Sequence, residues 1–158
     1  SIIAADKGKE LEAALTPEEI EATKSFIDNI SVVEEGVIAG EFGANSMHDV
    51  TEGGILGAAW EIAECSGKGI EIYIEKIPVR EVTKKICSFY GIDPYRLISS
   101  GSMLITASKG AELVEILESK GIPSAIIGRI TERGRNIISN GKIFPLNPPG
   151  ADEIYKAL

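Results

Sequence analysis

"SMHDVTEGG", residues Ser46 to Gly54, decides how the chain folds. It sets a short extended stretch, Ser46 to His48, ahead of a glycine pair, Gly53 and Gly54, at the head of the apolar segment "GGILGAAWEIAECSG". That segment is apolar around most of its circumference through Ile55, Leu56, Ala59, Trp60, Ile62 and Ala63, which predicts a largely buried helix closed by Gly67. Strand, polar loop and helix in that order leave the first helical amides without partners inside the helix. Such amides attract anions, and glycines let a phosphate or carboxylate approach the backbone. The same residues serve equally without a ligand, with Asp49 or Thr51 capping the helix and the glycines allowing tight packing. Spacing alone favours the capping use. The loop is not a P-loop, because GxxxxGK[ST] is absent.

Working outward toward the start, "VVEEGVIAGEFGA" predicts a short helix packed closely on a neighbour, and "TPEEIEATKSFIDNI" predicts a helix with Thr16 as N-cap, Pro17 at the first helical position and Glu19 completing a capping box. Lys7 to Ala14 predict a short polar helix, and "SIIAAD" reads as part of a strand. Toward the end, "GIEIYIEK" alternates Ile70, Ile72 and Ile74 against Glu71, Tyr73 and Glu75, the period of a strand with one wet face. A helix from about Val79 to Tyr90, a central strand "SMLITA", an amphipathic helix "KGAELVEILESKG" and a strand "SAIIGRIT" follow. Asn140-Gly141 signals a two-residue hairpin between "RNIIS" and "KIFPL", and Ala151 to Ala157 predict a short terminal helix. Helices alternating with strands and then a hairpin predict an α+β fold, a mixed, mainly antiparallel sheet covered by helices.

The chain has 158 residues, enough for one well-filled core, so a single domain over 1–158 is expected. It is 44% hydrophobic and 25% charged, with no apolar run near the roughly 20 residues that span a bilayer, so a soluble, cytoplasmic protein away from membranes is expected. The net charge of −8, with Lys and Arg scattered among Asp and Glu, opposes nucleic acid as a partner. Cys65 and Cys87 fall on predicted helices in no metal-ligand spacing, which reads as two buried thiols in a reducing compartment. No signal peptide is visible and the first residue is not Met, so the chain is expected to be cut from a longer protein.

The chemistry available is concentrated in two loops. His48 suits a general acid or base, or a donor to phosphate, and equally a structural role. Asp49 and Glu52 offer oxygen ligands to magnesium, but two carboxylates without a phosphate make a weak site, so no metal site is assigned to the chain. The second loop, "ISSGSM" from Ile98 to Met103, presents backbone amides and the hydroxyl of Ser100 beside Gly101, a pattern also common in ordinary turns. With one histidine no Ser-His-Asp order can be argued, and neither cysteine has a local activating partner.

"MHDVTEGG", then "AAWEIAECSGKGIEI", "EKIPVREVTKKICSFYGIDPYRLISSGSMLI" and "GIPSAIIGRIT", in that order, resemble the carboxy-terminal domain of the aminoimidazole ribonucleotide (AIR) synthase-related superfamily. Within it the chain looks like the HypE-like hydrogenase maturation factors, and resembles selenophosphate synthetase and thiamine-monophosphate kinase more distantly. The resemblance implies that an amino-terminal domain outside this chain dimerises and supplies most contacts to ATP and Mg2+, while this domain closes the cleft. It implies catalytic roles for His48 and Asp49, and substrate or phosphate contacts for Thr51, Glu52, Gly53, Gly54, Ser100 and Gly101. The function implied is that of an ATP-dependent enzyme activating an amide or carboxyl oxygen by phosphorylation, in hydrogenase maturation. The partners implied are the amino-terminal domain, a second copy in a homodimer and a maturation protein. Two departures bear on this. HypE ends in Pro-Arg-x-Cys, whose cysteine carries the group converted to cyanide, whereas this chain ends "ADEIYKAL"; and Ser99, Ser100, Gly101 and Ser102 stand where HypE has Asn-Glu-Gly-Lys. The competing expectation is a non-catalytic regulatory or partner-binding module on the same fold.

Overall fold

A computed structural model describes residues 1–158. Seven α-helices, α1 (Ile2–Asp6), α2 (Gly8–Leu11), α3 (Pro17–Lys24), α4 (Val33–Phe42), α5 (Gly54–Ser66), α6 (Glu81–Tyr90) and α7 (Gly110–Ser119), accompany six strands. The strands are β1 (Ser46–Asp49), β2 (Gly69–Tyr73), β3 (Met103–Thr106), β4 (Gly128–Thr131), β5 (Arg135–Ser139) and β6 (Lys142–Pro145).

The amino-terminal expectation of a strand is overturned, because "SIIAAD" forms α1. A short continuous apolar run carries no period that separates helix from strand. Packing settles it: α1 buries Ile3 and Ala4 with Leu11, Leu15 and Ile20, in a core completed by Ile86, Cys87 and Ile92 beside α6 and by Ile154 near the end of the chain. Helix α3 begins with the capping box read from the sequence, Thr16 Oγ1 accepting from the Glu19 amide at 3.2 Å and Glu19 Oε2 from the Thr16 amide at 3.0 Å. The Lys85 ammonium beside Glu19 holds its carboxyl below the usual range.

The strands divide between two sheets. β1 and β3 form an antiparallel ribbon with His48 opposite Leu104, so β3 is not the central strand that its apolar pattern suggested. Both faces of β3 are packed: Leu104 joins the core beneath α5, and Ile105, pointing the other way, packs with Ala39 of α4 and with Leu113 and Leu117 of α7. A strand covered on both faces reads as central from sequence even when it has one neighbour.

The second sheet has the order β4-β2-β5-β6, parallel between β2 and β5 and antiparallel elsewhere. Ile70 and Ile72 of β2 are 3% and 1% exposed and face α5, which buries Leu56, Ala59, Ile62 and Ala63. Burying a large aliphatic side chain contributes about 1.5–3 kcal/mol, so this contact holds sheet and helix together. The strand stops three residues short of the quoted stretch, since Ile74–Lys76 turn into a 3-10 helix, and β4 is confined to the last four residues of "SAIIGRIT". The hairpin follows its signal: Asn140 and Gly141 have φ of 48° and 73°, the two positive values of a type I′ turn. The terminal helix is a shorter 3-10 turn, Glu153–Lys156, with Asp152 as N-cap.

The paired expectation for the cysteines also changes. Cys87 is buried, its thiol pushed up to about 11 by desolvation, whereas Cys65 is exposed. Cys65 lies four residues after Glu61, on the outward stripe of α5. No helix is long and apolar enough to cross a membrane.

Candidate functional site

The two loops singled out in the sequence are stitched together at Val50. Its amide donates to the Ser102 carbonyl at 2.9 Å and its carbonyl accepts from the Ser99 amide at 3.3 Å, while Ser102 closes its own turn onto the Ser99 carbonyl at 3.1 Å. Val50 is 1% exposed, so this junction is dry and anchored in the core under α5.

His48, carried on β1, points toward α5: Nε2 lies 2.7 Å from Oε2 of Glu61, and Nδ1 lies 2.5 Å from the Asp49 carbonyl oxygen. Both neighbours are acceptors, so the ring is oriented by two contacts, and one of them must give way before the ring can exchange a proton with a substrate or donate to it. The Asp49 carboxylate is exposed and 3.8 Å from Nδ1. Thr51 and Glu52 are also exposed, and Glu52 Oε1 accepts from the Tyr155 hydroxyl at 3.3 Å, raising the phenol above its ordinary range.

The glycine pair departs from expectation. Gly53 and Gly54 lie at the start of α5, but both are buried and their amides are occupied. Gly53 N–H donates to Oδ2 of the buried Asp152 at 2.8 Å, Gly54 N–H to the Thr51 carbonyl at 3.1 Å, and Leu56 N–H to the Tyr95 carbonyl at 3.1 Å. The expected choice between an open anion site and a cap by the side chain of Asp49 or Thr51 is therefore corrected on both sides: the carboxylate at this helix start comes from Asp152, 99 residues away. The helix end attracts negative charge as expected, and the chain supplies that charge itself. Glu153 clamps the same tail, accepting from the Asp93 amide at 3.2 Å, its carboxyl lowered chiefly by Lys156.

Ser100 and Gly101 lie elsewhere, on the wall of a cleft of about 370 Å³ that Ile55 reaches but the stretch from His48 to Gly54 does not. The predicted residues thus fall into two neighbouring sets on either side of the Val50 junction. No three His, Cys, Asp or Glu side chains converge as metal ligands would. Sequence reasoning missed Glu61 and Asp152. Glu61 was signalled weakly, as a charge on an otherwise apolar helix. Asp152 was signalled only as an N-cap residue for its own short helix, Oδ1 accepting from the Ile154 amide at 2.8 Å.

Replacing His48 with Ala removes a partly exposed polar contact with Glu61 and should cost no more than about 1 kcal/mol of stability. In the full-length protein the same change should lower turnover by about ten-fold or more if the ring meets the reacting group. Melting temperature and phosphate release measured on one variant separate these effects; a large fall in melting temperature with normal turnover would make the residue structural.

A glycine-pair loop between a strand and a buried helix, backed by a mixed sheet, defines the fold as an α+β domain. The sequence profile of the AIR synthase related protein, C-terminal domain family matches residues 2–139, and the chain belongs to that family. It is 32% identical over 119 residues to a putative hydrogenase expression/formation protein of Methanocaldococcus jannaschii, covering 73% of this chain and 36% of the relative. It is 34% identical over 108 residues to the phosphoribosylformylglycinamidine synthase subunit PurL of Campylobacter lari, covering 65% of this chain and 14% of that one. Among solved structures, a chain of a HypE–HypF complex superposes with a TM-score of 0.63 at 29% identity, covering 71% of this chain and 39% of that one. The chain spans about a third of the length of the hydrogenase-related protein it matches.

Proposed function

We propose that the chain is the carboxy-terminal, cleft-closing domain of a HypE-like ATP-dependent enzyme that activates an amide or carboxyl oxygen by phosphorylation in hydrogenase maturation. The observation that carries this reading is the family match across both loops, Ser46–Gly54 and Ser99–Ser102, together with the likeness to a hydrogenase expression/formation protein. In this reading His48, oriented by Glu61, and Asp49 present polar groups to the reacting centre beside the exposed Thr51 and Glu52, while the buried Gly53 and Gly54 hold the loop in place and Ser100 and Gly101 act from the neighbouring turn joined to it through Val50. An amino-terminal domain would supply the contacts to ATP and Mg2+, a second copy would complete a homodimer, and a maturation protein would be the partner, as HypF is for HypE in the complex.

Taken alone, these residues do not fit a nucleotide with its metal. The amides of Gly53 and Gly54 are occupied and no three carboxylates converge, so no phosphoryl step is assigned to this chain by itself. The isolated chain should therefore neither hydrolyse ATP nor bind it at micromolar concentration. Exposed electrostatic contacts contribute about 0.3–1 kcal/mol each, against the roughly 8 kcal/mol of micromolar binding. Calorimetric titration with ATP and Mg2+, paired with a phosphate-release assay, checks this; micromolar binding or steady turnover would place the catalytic parts here. For the whole protein, phosphate release that depends on an added carboxamide or carboxylate supports the reading, and its absence overturns it. A non-catalytic partner-binding module is the second reading, favoured by Asp152 filling the amino end of α5.

A further inference from the structure

The 370 Å³ cleft lies between the 3-10 turn Ser25–Asn29 and the Ser99–Ser102 turn, and its charge is unlike that of the rest of the molecule. The protein carries 24 acidic residues against 16 basic ones, yet no Asp or Glu lines the cleft, and Arg80 is its one charged side chain, with the α-amino group of Ser1 also on the lining. Arg96, Arg129 and Arg135 each pair with a carboxylate; Arg80 and the exposed Arg133 pair with none, and Arg80 lies over the ring of Phe26, its guanidinium carbon 4.5 Å from the ring centroid. Stacking on one face leaves the edge of a guanidinium free, and that edge matches the two oxygens of a carboxylate or phosphate. The lining is apolar through Phe26, Ile55 and Leu97, and Thr83 and Ser100 add hydroxyl side chains to it. The volume is at the small end of the range for small-molecule sites.

We propose that this cleft binds a small organic oxyanion, its carboxylate or phosphate on the Arg80 guanidinium and its aryl or branched alkyl body against Phe26, Ile55 and Leu97. In so acidic a protein, a pocket cleared of carboxylates around an unpaired arginine removes the repulsion an anion meets elsewhere on the surface. The ligand adds the second charge that Arg80 lacks, and its apolar body leaves water at the same step. The site shares the Ser99–Ser102 turn with the phosphorylation reading but needs neither ATP nor a second domain, so titrations without nucleotide distinguish failure of one from failure of the other.

The test is titration of the isotopically labelled chain with benzoate, phenyl phosphate and benzylamine, followed by amide chemical shifts. One or both anions should give saturable shifts centred on Phe26, Arg80, Thr83 and Ser100, the tighter of the two naming the group recognised, and benzylamine should give none. Arg80→Gln should weaken binding by about ten-fold or more, with an otherwise dispersed spectrum showing that it folds. Lys142→Gln, which removes the same charge from the exposed strand β6, should leave binding unchanged. No saturable shift up to about 10 mM, an equal response to benzylamine, shifts centred elsewhere, or equal loss in both variants would overturn the proposal.

Discussion

Replacing Asp152 with Ala should lower stability by about 2–4 kcal/mol and the unfolding midpoint by about 10 °C. The carboxylate is 3% exposed and accepts from two backbone amides, Gly53 through Oδ2 and Ile154 through Oδ1, each at 2.8 Å. Truncation leaves both donors in a region where water cannot easily replace the lost acceptor, and an orphaned buried donor costs about 1–3 kcal/mol. Asp152→Asn keeps one acceptor oxygen but turns an amide donor toward the other N–H, so it should recover only part of the loss. Urea unfolding of the two variants measures both effects. An unchanged midpoint in Asp152→Ala would show that the tail does not hold the start of α5 shut.

Gly54→Ala should destabilise the chain by at least about 3 kcal/mol. The residue has φ of 61°, and a Cβ there would lie 2.7 Å from the carbonyl oxygens of both Tyr95 and Leu97 and 2.9 Å from the Arg96 carbonyl carbon. All three are backbone atoms, so no rotamer change relieves the overlap. The segment 95–97 must move, or α5 must start later. Movement of that segment would break the Leu56 bond to the Tyr95 carbonyl and disturb the following Ser99–Ser102 turn, so the variant should also alter the amide signals of Ser100 and Gly101. Unfolding free energy and the amide spectrum report the two consequences separately; a variant as stable as the parent would show that the close approach is dispensable.

Both predictions rest on contacts distant in sequence, whereas the parts that were legible beforehand rest on local rules. The capping box at Thr16 and Glu19, the Asn140-Gly141 turn, the glycine closing α5, and the alternation of Ile70 and Ile72 each depend on residues a few positions apart, and each formed as read. The misreadings occurred where local pattern was silent or shared. "SIIAAD" has no period, "SMLITA" has the composition of any doubly covered strand, and Cys65 follows the side of α5 that the sheet leaves open.

By itself the sequence determined that residues 46–67 form a strand, a polar loop and a buried helix opening on a glycine pair, and its ordered motifs determined the family. It also determined that the loop carries His48 and Asp49, since identity and order are properties of the chain alone. Only the tertiary structure decided what meets those groups. Glu61 reaches His48 because β1 packs against α5; Val50 joins the two loops because β1 and β3 pair; and Asp152 occupies the amide of Gly53 because the tail folds back across 99 residues. The physical reason is that a helix start requires a negative partner without specifying where in the chain it comes from, so the need is local and the choice of partner is made by packing.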